Sequence, residues 1–308
     1  MPVARAPAPR ARQAIGQKDH RMPASEPVEG NAAQIAYWND RAGETWAELQ
    51  ARIDANFSAL TALALEAAAP QAGERVIDIG CGCGATVLDL ARRVGPTGSV
   101  LGVDVSEPMA ARARARIAAA GLAQAQVQVA DAAAGAFDWT GADLMFSRFG
   151  VMFFAEPAAA FAHLRRQMRP GGRLLFACWR PLAENPWFTV PLEAGRPFLP
   201  PQPPADPTAP GPFAFADPER VRQVLATAGW REIGVSPREA PMRMADADDL
   251  DGAAAFATRV GALARLLADS EPETHRAVKR AVREALRAHD GPDGIALTGS
   301  VWLVSARA

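Results

Sequence analysis

Three alternating glycines between an apolar strand and a helix limit what this chain can fold into. The segment 76–91 reads as a buried strand that passes through Gly80, Gly82 and Gly84 into a helix. Glycine lacks a Cβ, so the chain can turn sharply here and a ligand can approach the main chain. The following helix offers unpaired N–H groups and a partial positive charge. A second apolar strand ends in Asp104, at a distance typical of a ribose-binding acid.

Strands and helices alternate through the middle of the chain. The apolar pattern predicts strands over 75–79, 99–105, 125–130, 143–148 and 173–179, and helices over 85–94, 107–120 and 157–168. Such alternation is typical of a parallel sheet with helices on both faces. Two further strands are predicted near 230–235 and 299–306. We therefore expect a doubly wound α/β fold.

We place the α/β unit at 73–308. Two segments before it are expected to flank or cover it, and two insertions within it, at about 180–215 and 246–290, are expected to cover it. Residues 1–30 carry several prolines and no apolar pattern, which predicts a disordered extension; an organelle transit peptide and a natural start at Met22 stay open. Residues 31–72 are helical in pattern and form a cover. Residues 180–215 hold eleven prolines, so neither helix nor central strand is expected there, and 246–290 predict two amphipathic helices.

Composition excludes several classes of function. Lys and Arg number 33 against 34 Asp and Glu, so the chain lacks the basic footprint of nucleic-acid binding. It also lacks an apolar run of 18 residues, so no membrane span is expected. The three cysteines argue against a disulfide framework and indicate a reducing, cytoplasmic setting.

The glycine spacing separates two classes of nucleotide site. Dinucleotide folds favour G-x-G-x-x-G, whereas Asp78 is followed here by G-x-G-x-G. This segment resembles the first motif of class I S-adenosylmethionine (SAM)-dependent methyltransferases, and in particular the ubiquinone and menaquinone branch that methylates small molecules. Further segments resemble that family at Val103–Ser106, Val129–Ala132, Asp143–Phe154 and Leu164–Cys178. The resemblance implies a Rossmann-like sheet, mostly parallel with an antiparallel final strand, and SAM as cofactor.

The resemblance also implies roles at the methionine end of the cofactor. Gly80 and Gly82, with Cys81 between them, would bring the main chain to the methionine portion. Asp78 would anchor the loop and meet the cofactor's amino group; a purely structural role in holding the turn is the alternative. Trp46, on the leading helix, would close over the cofactor, although plain helix packing explains it equally well.

Other roles are implied at the nucleoside end. Asp104 would accept hydrogen bonds from both ribose hydroxyls, and Asp131 from the adenine amine, while the N–H of Ala132 would donate to a ring nitrogen. Val105 and Met109 would flank the adenine. At the end of the fourth strand, Ser147 and Arg148 lie where open α/β sheets bind ligands, although Arg148 is as readily a surface or capping residue.

Two further candidates have simpler explanations. Cys81 and Cys83 alone are too few ligands for a zinc site. We therefore interpret them as small side chains that fit a tight turn, and no metal is predicted. His163 could act as a general base, but its helix is expected to lie behind the sheet, away from the ligand edge.

We therefore predict a SAM-dependent methyltransferase that acts by proximity and orientation on an apolar or aromatic small molecule, without an identifiable catalytic residue. The aromatic side chains of 180–215 and 246–290 support such an acceptor. An NAD(P)-dependent oxidoreductase and a SAM-binding protein with other chemistry are the alternatives. The sequence does not indicate the oligomeric state.

Overall fold

The computed structural model describes residues 31–135, 139–203 and 206–308, and the extension predicted over 1–30 lies outside them. A single sheet of eight strands forms the centre of the described chain. Its strands are β1 (Arg75–Ile79), β2 (Ser99–Asp104), β3 (Ala125–Val129), β4 (Ala142–Arg148), β5 (Met168–Trp179), β6 (Arg231–Ala245), β7 (Asp290–Gly291) and β8 (Gly294–Arg307).

The order of the strands fixes where a ligand can bind. The order is β3-β2-β1-β4-β5-β8-β6, with β7 paired to β8 off this path. Strands β1 to β5 pair in parallel, whereas β8 runs antiparallel to both β5 and β6. The order reverses between β1 and β4, and open α/β sheets bind ligands outside the carboxyl ends of the strands at such a point. This confirms the mostly parallel Rossmann-like fold with an antiparallel final strand.

Helices cover both faces of this sheet and the carboxyl ends of its strands. They are α1 (Ala32–Asn39), α2 (Arg41–Glu48), α3 (Gln50–Ala68), α4 (Ala85–Val94), α5 (Glu107–Ala119), α6 (Pro157–Arg165), α7 (Pro186–Gly195), α8 (Pro218–Thr227), α9 (Leu250–Ala257), α10 (Ala262–Leu267) and α11 (Pro272–Leu286). In α3, Ile53, Phe57 and Leu60 are buried at three- and four-residue spacing, as the sequence predicts. Within the described ranges, no helix is long and apolar enough to cross a membrane.

The prediction for residues 180–215 is wrong, because α7 forms there. Pro186 stands at the first position of this helix, where its missing N–H costs no hydrogen bond. Pro191 lies inside the helix and removes one internal bond, but it is buried with Trp187 and Phe188. Packing of these side chains therefore outweighs the local penalty of the proline.

Other boundaries also differ from the predicted ones. The leading helix is divided into α1, α2 and α3, and residues 246–290 hold three α-helices rather than two. Strand β6 continues past the predicted end to Ala245 although it contains Pro237 and Pro241. It lies at the edge of the sheet, where a proline leaves no central ladder bond unmade. Strand β5 begins before the predicted residue 173, with a register irregularity beside Ala142 and Leu144.

Candidate functional site

A cavity of about 1030 Å³ opens at the carboxyl ends of β1, β2 and β4. Its floor includes the glycine turn after β1 and Asp104 at the end of β2. Its roof comes from α1 to α3 and from residues within 179–203 and 212–213. Ligand pockets in proteins span roughly 300–1,000 Å³. This cavity lies at the upper end of that range, so it has room for a nucleoside cofactor beside a second small molecule.

The glycine turn brings the backbone to the cavity surface. Gly80 and Gly82 both line the cavity and have φ values of 66° and 53°, in the left-handed region that side chains disfavour. A Cβ on Gly80 would lie 2.5 Å from the Cα of Gly150, so this position also needs the absence of a side chain. Its N–H donates to the carbonyl of Val103 at 2.8 Å, which ties the turn to β2.

Asp104 lines the same part of the cavity and is held by the main chain. Its Oδ2 accepts from the N–H of Gly82 at 2.7 Å, and its Oδ1 accepts from the N–H of Ser106 at 2.9 Å. Each carboxylate oxygen can accept a further hydrogen bond, so a pair of ligand hydroxyls fits beside them. Burial raises the pKa of Asp104, against the backbone hydrogen bonds that lower it.

This raised pKa leads to a prediction about pH. Because the ionised carboxylate is the better acceptor, we expect affinity for S-adenosylhomocysteine (SAH) to fall as pH is lowered, starting above the usual carboxyl pKa of about 3.9. Calorimetric titrations at a series of pH values from neutral downwards measure this. The Asp78→Asn variant, run in parallel, removes the other carboxyl that titrates in this range. An affinity independent of pH in that variant would contradict the prediction.

Asp78 and Ser147 lie beneath the turn and do not line the cavity. Asp78 accepts a hydrogen bond from the hydroxyl of Thr86, while its Oδ1 has no partner among the described residues. Burial raises the pKa of Asp78 to about 7. Ser147 donates to the carbonyl of Ile79 at 2.7 Å and accepts from the N–H of Gly150 at 3.2 Å. Ser147 thus joins the end of β1 to the segment after β4, and the ligand contact that the resemblance implies for it stays a prediction.

The remaining residues expected at the nucleoside end do line the cavity. They are Val105, Met109, Asp131 and Ala132, while Cys81 and Trp46 line it near the turn. Asp131 accepts hydrogen bonds at Oδ1 from the Asn31 side-chain amide at 3.0 Å and from the N–H of Ala133 at 2.9 Å. The sequence therefore brings all but two of the expected residues to one surface.

Helix α1 contributes contacts that sequence reasoning missed. Asn39 donates to the carbonyl of Val105 and accepts from the N–H of Glu107, at 2.8 and 2.9 Å. Gly43 permits close approach, because a Cβ there would lie 2.7 Å from the hydroxyl of Ser106. No sequence signal marks these positions, since each depends on how α1 and α2 pack against α5.

Aromatic rings form the other half of the cavity. Phe149 stacks on Trp179 with centroids 4.2 Å apart and an angle of 3°, and Trp179 stacks on Trp187 at 5.8 Å and 6°. Phe57 packs against all three rings, with centroids between 5.5 and 6.3 Å away. Phe149 has φ 67°, a strained conformation for a bulky residue. The surrounding packing holds Phe149 in this conformation, with its ring in the cavity wall.

Arg148 lies within this aromatic half. Its Nη1 donates to the hydroxyl of Thr61 at 2.6 Å, and its Cζ lies 5.2 Å from the centroid of the Phe57 ring. Burial lowers the pKa of Arg148, although nearby carboxylates raise it. The structure therefore places Arg148 in the cavity wall rather than at a surface or helix cap.

His163 lies outside the cavity, whereas Cys81 and Cys83 line it near the glycine turn. A ring nitrogen of His163 lies 3.1 Å from the carbonyl of Gly135, and His163 does not line the cavity. The thiol of Cys81 packs towards Gly102, whereas that of Cys83 lies 3.8 Å from the carbonyl of Trp46. Across the described ranges, no group of three or more His, Cys, Asp or Glu residues could hold a metal ion.

Residues 76–172 match a family model described as a methyltransferase domain. This match contains the glycine turn, Asp104 and Asp131, and it ends within β5. The match thus covers the part of the chain that forms the floor of the cavity.

Three of the curated relatives are named as methyltransferases of small molecules. The chain is 29% identical to nocamycin O-methyltransferase of Saccharothrix syringae, over 59% of this chain and 68% of that protein. It is 32% identical to aklanonic acid methyltransferase DauC of Streptomyces sp., over 43% of this chain and 56% of that protein. It is also 32% identical to the ubiquinone/menaquinone biosynthesis C-methyltransferase UbiE of Cupriavidus metallidurans, over 36% of this chain and 46% of that protein. Two of these three matches span less than two thirds of the relative.

The fold is shared with solved structures. Phosphoethanolamine N-methyltransferase 2 of Haemonchus contortus, in complex with SAM, superimposes with a TM-score of 0.54 at 16% identity. The likeness covers 89% of this chain and 59% of that one. At this identity the likeness is one of fold.

Proposed function

We propose that this chain is a class I SAM-dependent methyltransferase that uses SAM as cofactor and transfers its methyl group to an apolar or aromatic small molecule. One observation carries this proposal. A single continuous cavity is lined on one side by the glycine turn and Asp104, which we call the polar cradle. On the other side it is lined by a wall of stacked rings. The cradle suits a nucleoside cofactor, and the wall suits a planar acceptor.

The polar cradle fits SAM in its donor and acceptor groups. The two oxygens of Asp104 suit the ribose hydroxyls, and the Cβ-free turn at Gly80 and Gly82 admits the methionine portion. Asn31 Oδ1 and Gln34 Oε1 are buried acceptors without partners among the described residues, and both residues line the cavity. Acceptors of this kind suit the exocyclic amine of adenine. Asp78 would add a negative charge beneath the turn, towards the cofactor's ammonium group.

SAM supplies an activated methyl group on a sulfonium, so the chain needs chiefly to align an acceptor with it. Phe149, Trp179 and Trp187 orient a planar acceptor by stacking and exclude water from it. Asp54 also lines the cavity, but Arg116 and Gln50 donate to its Oδ2 at 2.7 and 2.6 Å. These hydrogen bonds engage Oδ2 in fixing Asp54 to the cavity wall, and we therefore propose a reaction driven by proximity and orientation.

The names of the relatives support a small-molecule acceptor. Nocamycin, aklanonic acid and the quinones are what those proteins are named for, and all three names denote small molecules. The free state of Cys81, Cys83 and Cys178 supports our placement of the reaction in the reducing cytoplasm.

Transfer of a labelled methyl group tests this function. The protein is incubated with SAM labelled on the methyl carbon and a panel of hydroxylated naphthalenes, anthraquinones and benzoquinols. We expect equal amounts of labelled product and SAH with at least one planar acceptor. Trp179→Ala should lower this turnover at least about tenfold, through the loss of a stacking partner. Methylation confined to strongly polar acceptors, or SAH binding without turnover on the whole panel, would contradict the proposal.

A further inference from the structure

Arg148 is a cation inside the aromatic half of the cavity with no carboxylate beside it. Within the described ranges, no Asp or Glu oxygen lies within 4.0 Å of its guanidinium, and its hydrogen bond to Thr61 uses only Nη1. Two other arginines line the cavity, Arg196 and Arg265, but both are exposed. A charge that is partly buried beside aromatic rings is costly unless it is paired.

The neighbouring carboxylates leave this charge uncompensated. Asp54 is already paired with Arg116 at 2.7 Å. Asp78 lies beneath the turn and outside the cavity lining, and among the described residues its hydrogen bond is to Thr86 and not to Arg148. The ring of Phe57 offers its face to Arg148, which offsets part of the cost but supplies no anion.

We propose that Arg148 recognises an anionic oxygen on a planar aromatic acceptor, either a carboxylate or an ionised phenol, and so selects acidic ring compounds. This inference rests on the proposed function, because it concerns the acceptor half of the same cavity. The planar fork of a guanidinium matches a carboxylate with two donors, and Nε and Nη2 are the nitrogens not used by Thr61.

The position of Arg148 suits this role. It ends β4 and immediately precedes Phe149, whose ring stacks on Trp179. A planar ring stacked on Phe149 and Trp179 would therefore place one of its substituents near the guanidinium of Arg148. The stacked rings select a flat shape, and Arg148 adds selection by charge.

Binding of two matched probes tests the proposal. Calorimetry with the SAH-saturated protein compares 2-naphthoate with 2-naphthamide, which has nearly the same shape without the charge. A nitrated naphthol that is ionised at neutral pH distinguishes a phenolate from a carboxylate. We expect wild-type protein to bind at least one of the two anions at least tenfold more tightly than the amide.

The variants assign this preference to one residue. In Arg148→Met the affinity for the preferred anion should fall at least tenfold while the affinity for 2-naphthamide changes less than twofold, and Arg148→Lys should restore part of the loss. Arg238→Met, an exposed arginine on the edge strand, should leave both affinities unchanged. The melting temperature of ligand-free Arg148→Met should equal or exceed that of the wild type, because an unpaired cation has been removed.

Two results would overturn the proposal. One is a wild-type protein that shows no preference for either anion, including one that binds none of the probes. The other is an Arg148→Met variant that loses affinity for anion and amide alike, or that melts at a lower temperature, which would make the residue structural. Failure of the proposed function would be seen separately, as an absence of SAH binding or of methyl transfer.

Discussion

Asp104→Ala should lower the affinity for SAH by at least about 100-fold. Hydrogen bonds to a charged acceptor contribute about 1.5–3 kcal/mol each, and the loss of two such bonds to the ribose removes at least about 3 kcal/mol. The substitution also frees the N–H groups of Gly82 and Ser106, which Asp104 holds at 2.7 and 2.9 Å. Calorimetry with SAH measures the effect.

Two variants separate the loss of the ribose contact from a general loss of fold. Asp89→Ala removes a half-exposed acid that pairs only with Arg92 on the same helix, and it should bind SAH as the wild type does. Asp104→Asn keeps the size of the side chain but has a single acceptor oxygen. Its NH₂ group must therefore face one of the two backbone N–H donors, from which it cannot accept a hydrogen bond. It should bind nearly as weakly as Asp104→Ala. Wild-type affinity in either Asp104 variant would refute the ribose role.

Gly80→Ala should produce the largest loss of stability among single substitutions in the turn. Its Cβ would meet the Cα of Gly150 at 2.5 Å, and φ is 66°. The clash is with backbone, so relief requires β1 and the segment after β4 to separate. We expect a loss of at least about 3 kcal/mol, or about 6 °C in melting temperature. Thermal unfolding of the ligand-free protein measures it.

Gly82→Ala is the matched comparison. Its Cβ would find only the sulfur of Met109, at 3.9 Å, so the cost in stability should be about 1 kcal/mol, from the φ of 53°. Met109 lines the cavity, however, so the new methyl group should still weaken SAH binding. Gly211→Ala, with open space and an ordinary φ, should be neutral in both measurements. Equal melting temperatures for Gly80→Ala and Gly82→Ala would contradict the account of the turn.

The sequence predicts the floor of the site better than its roof. Strands β1, β2 and β4 begin and end within a residue or two of prediction, because parallel strands buried on both faces are nearly continuous apolar runs. The spacing of the glycines and Asp104 depends only on one strand, one turn and one helix. Local sequence therefore determines that half of the cavity, including the placement of Asp131 and Met109.

The roof depends on contacts between distant segments. Asn39 reaches the carbonyl of Val105, and Arg148 bonds Thr61, 87 residues away along the chain. Helix α7 forms despite Pro191 because its buried aromatic side chains pack against the rest of the roof. No periodicity indicates such contacts. The strained φ of Phe149 is likewise imposed by the tertiary structure.

Isothermal calorimetry with SAM and with NADH tests the central claim most directly. In the proposed function the polar cradle holds SAM, and the glycine spacing departs from that of dinucleotide folds. We predict saturable one-to-one binding of SAM that is lost in Asp104→Ala, and no binding of NADH. Absence of SAM binding at millimolar concentration, with Asp104→Ala indistinguishable from the wild type, would contradict the account.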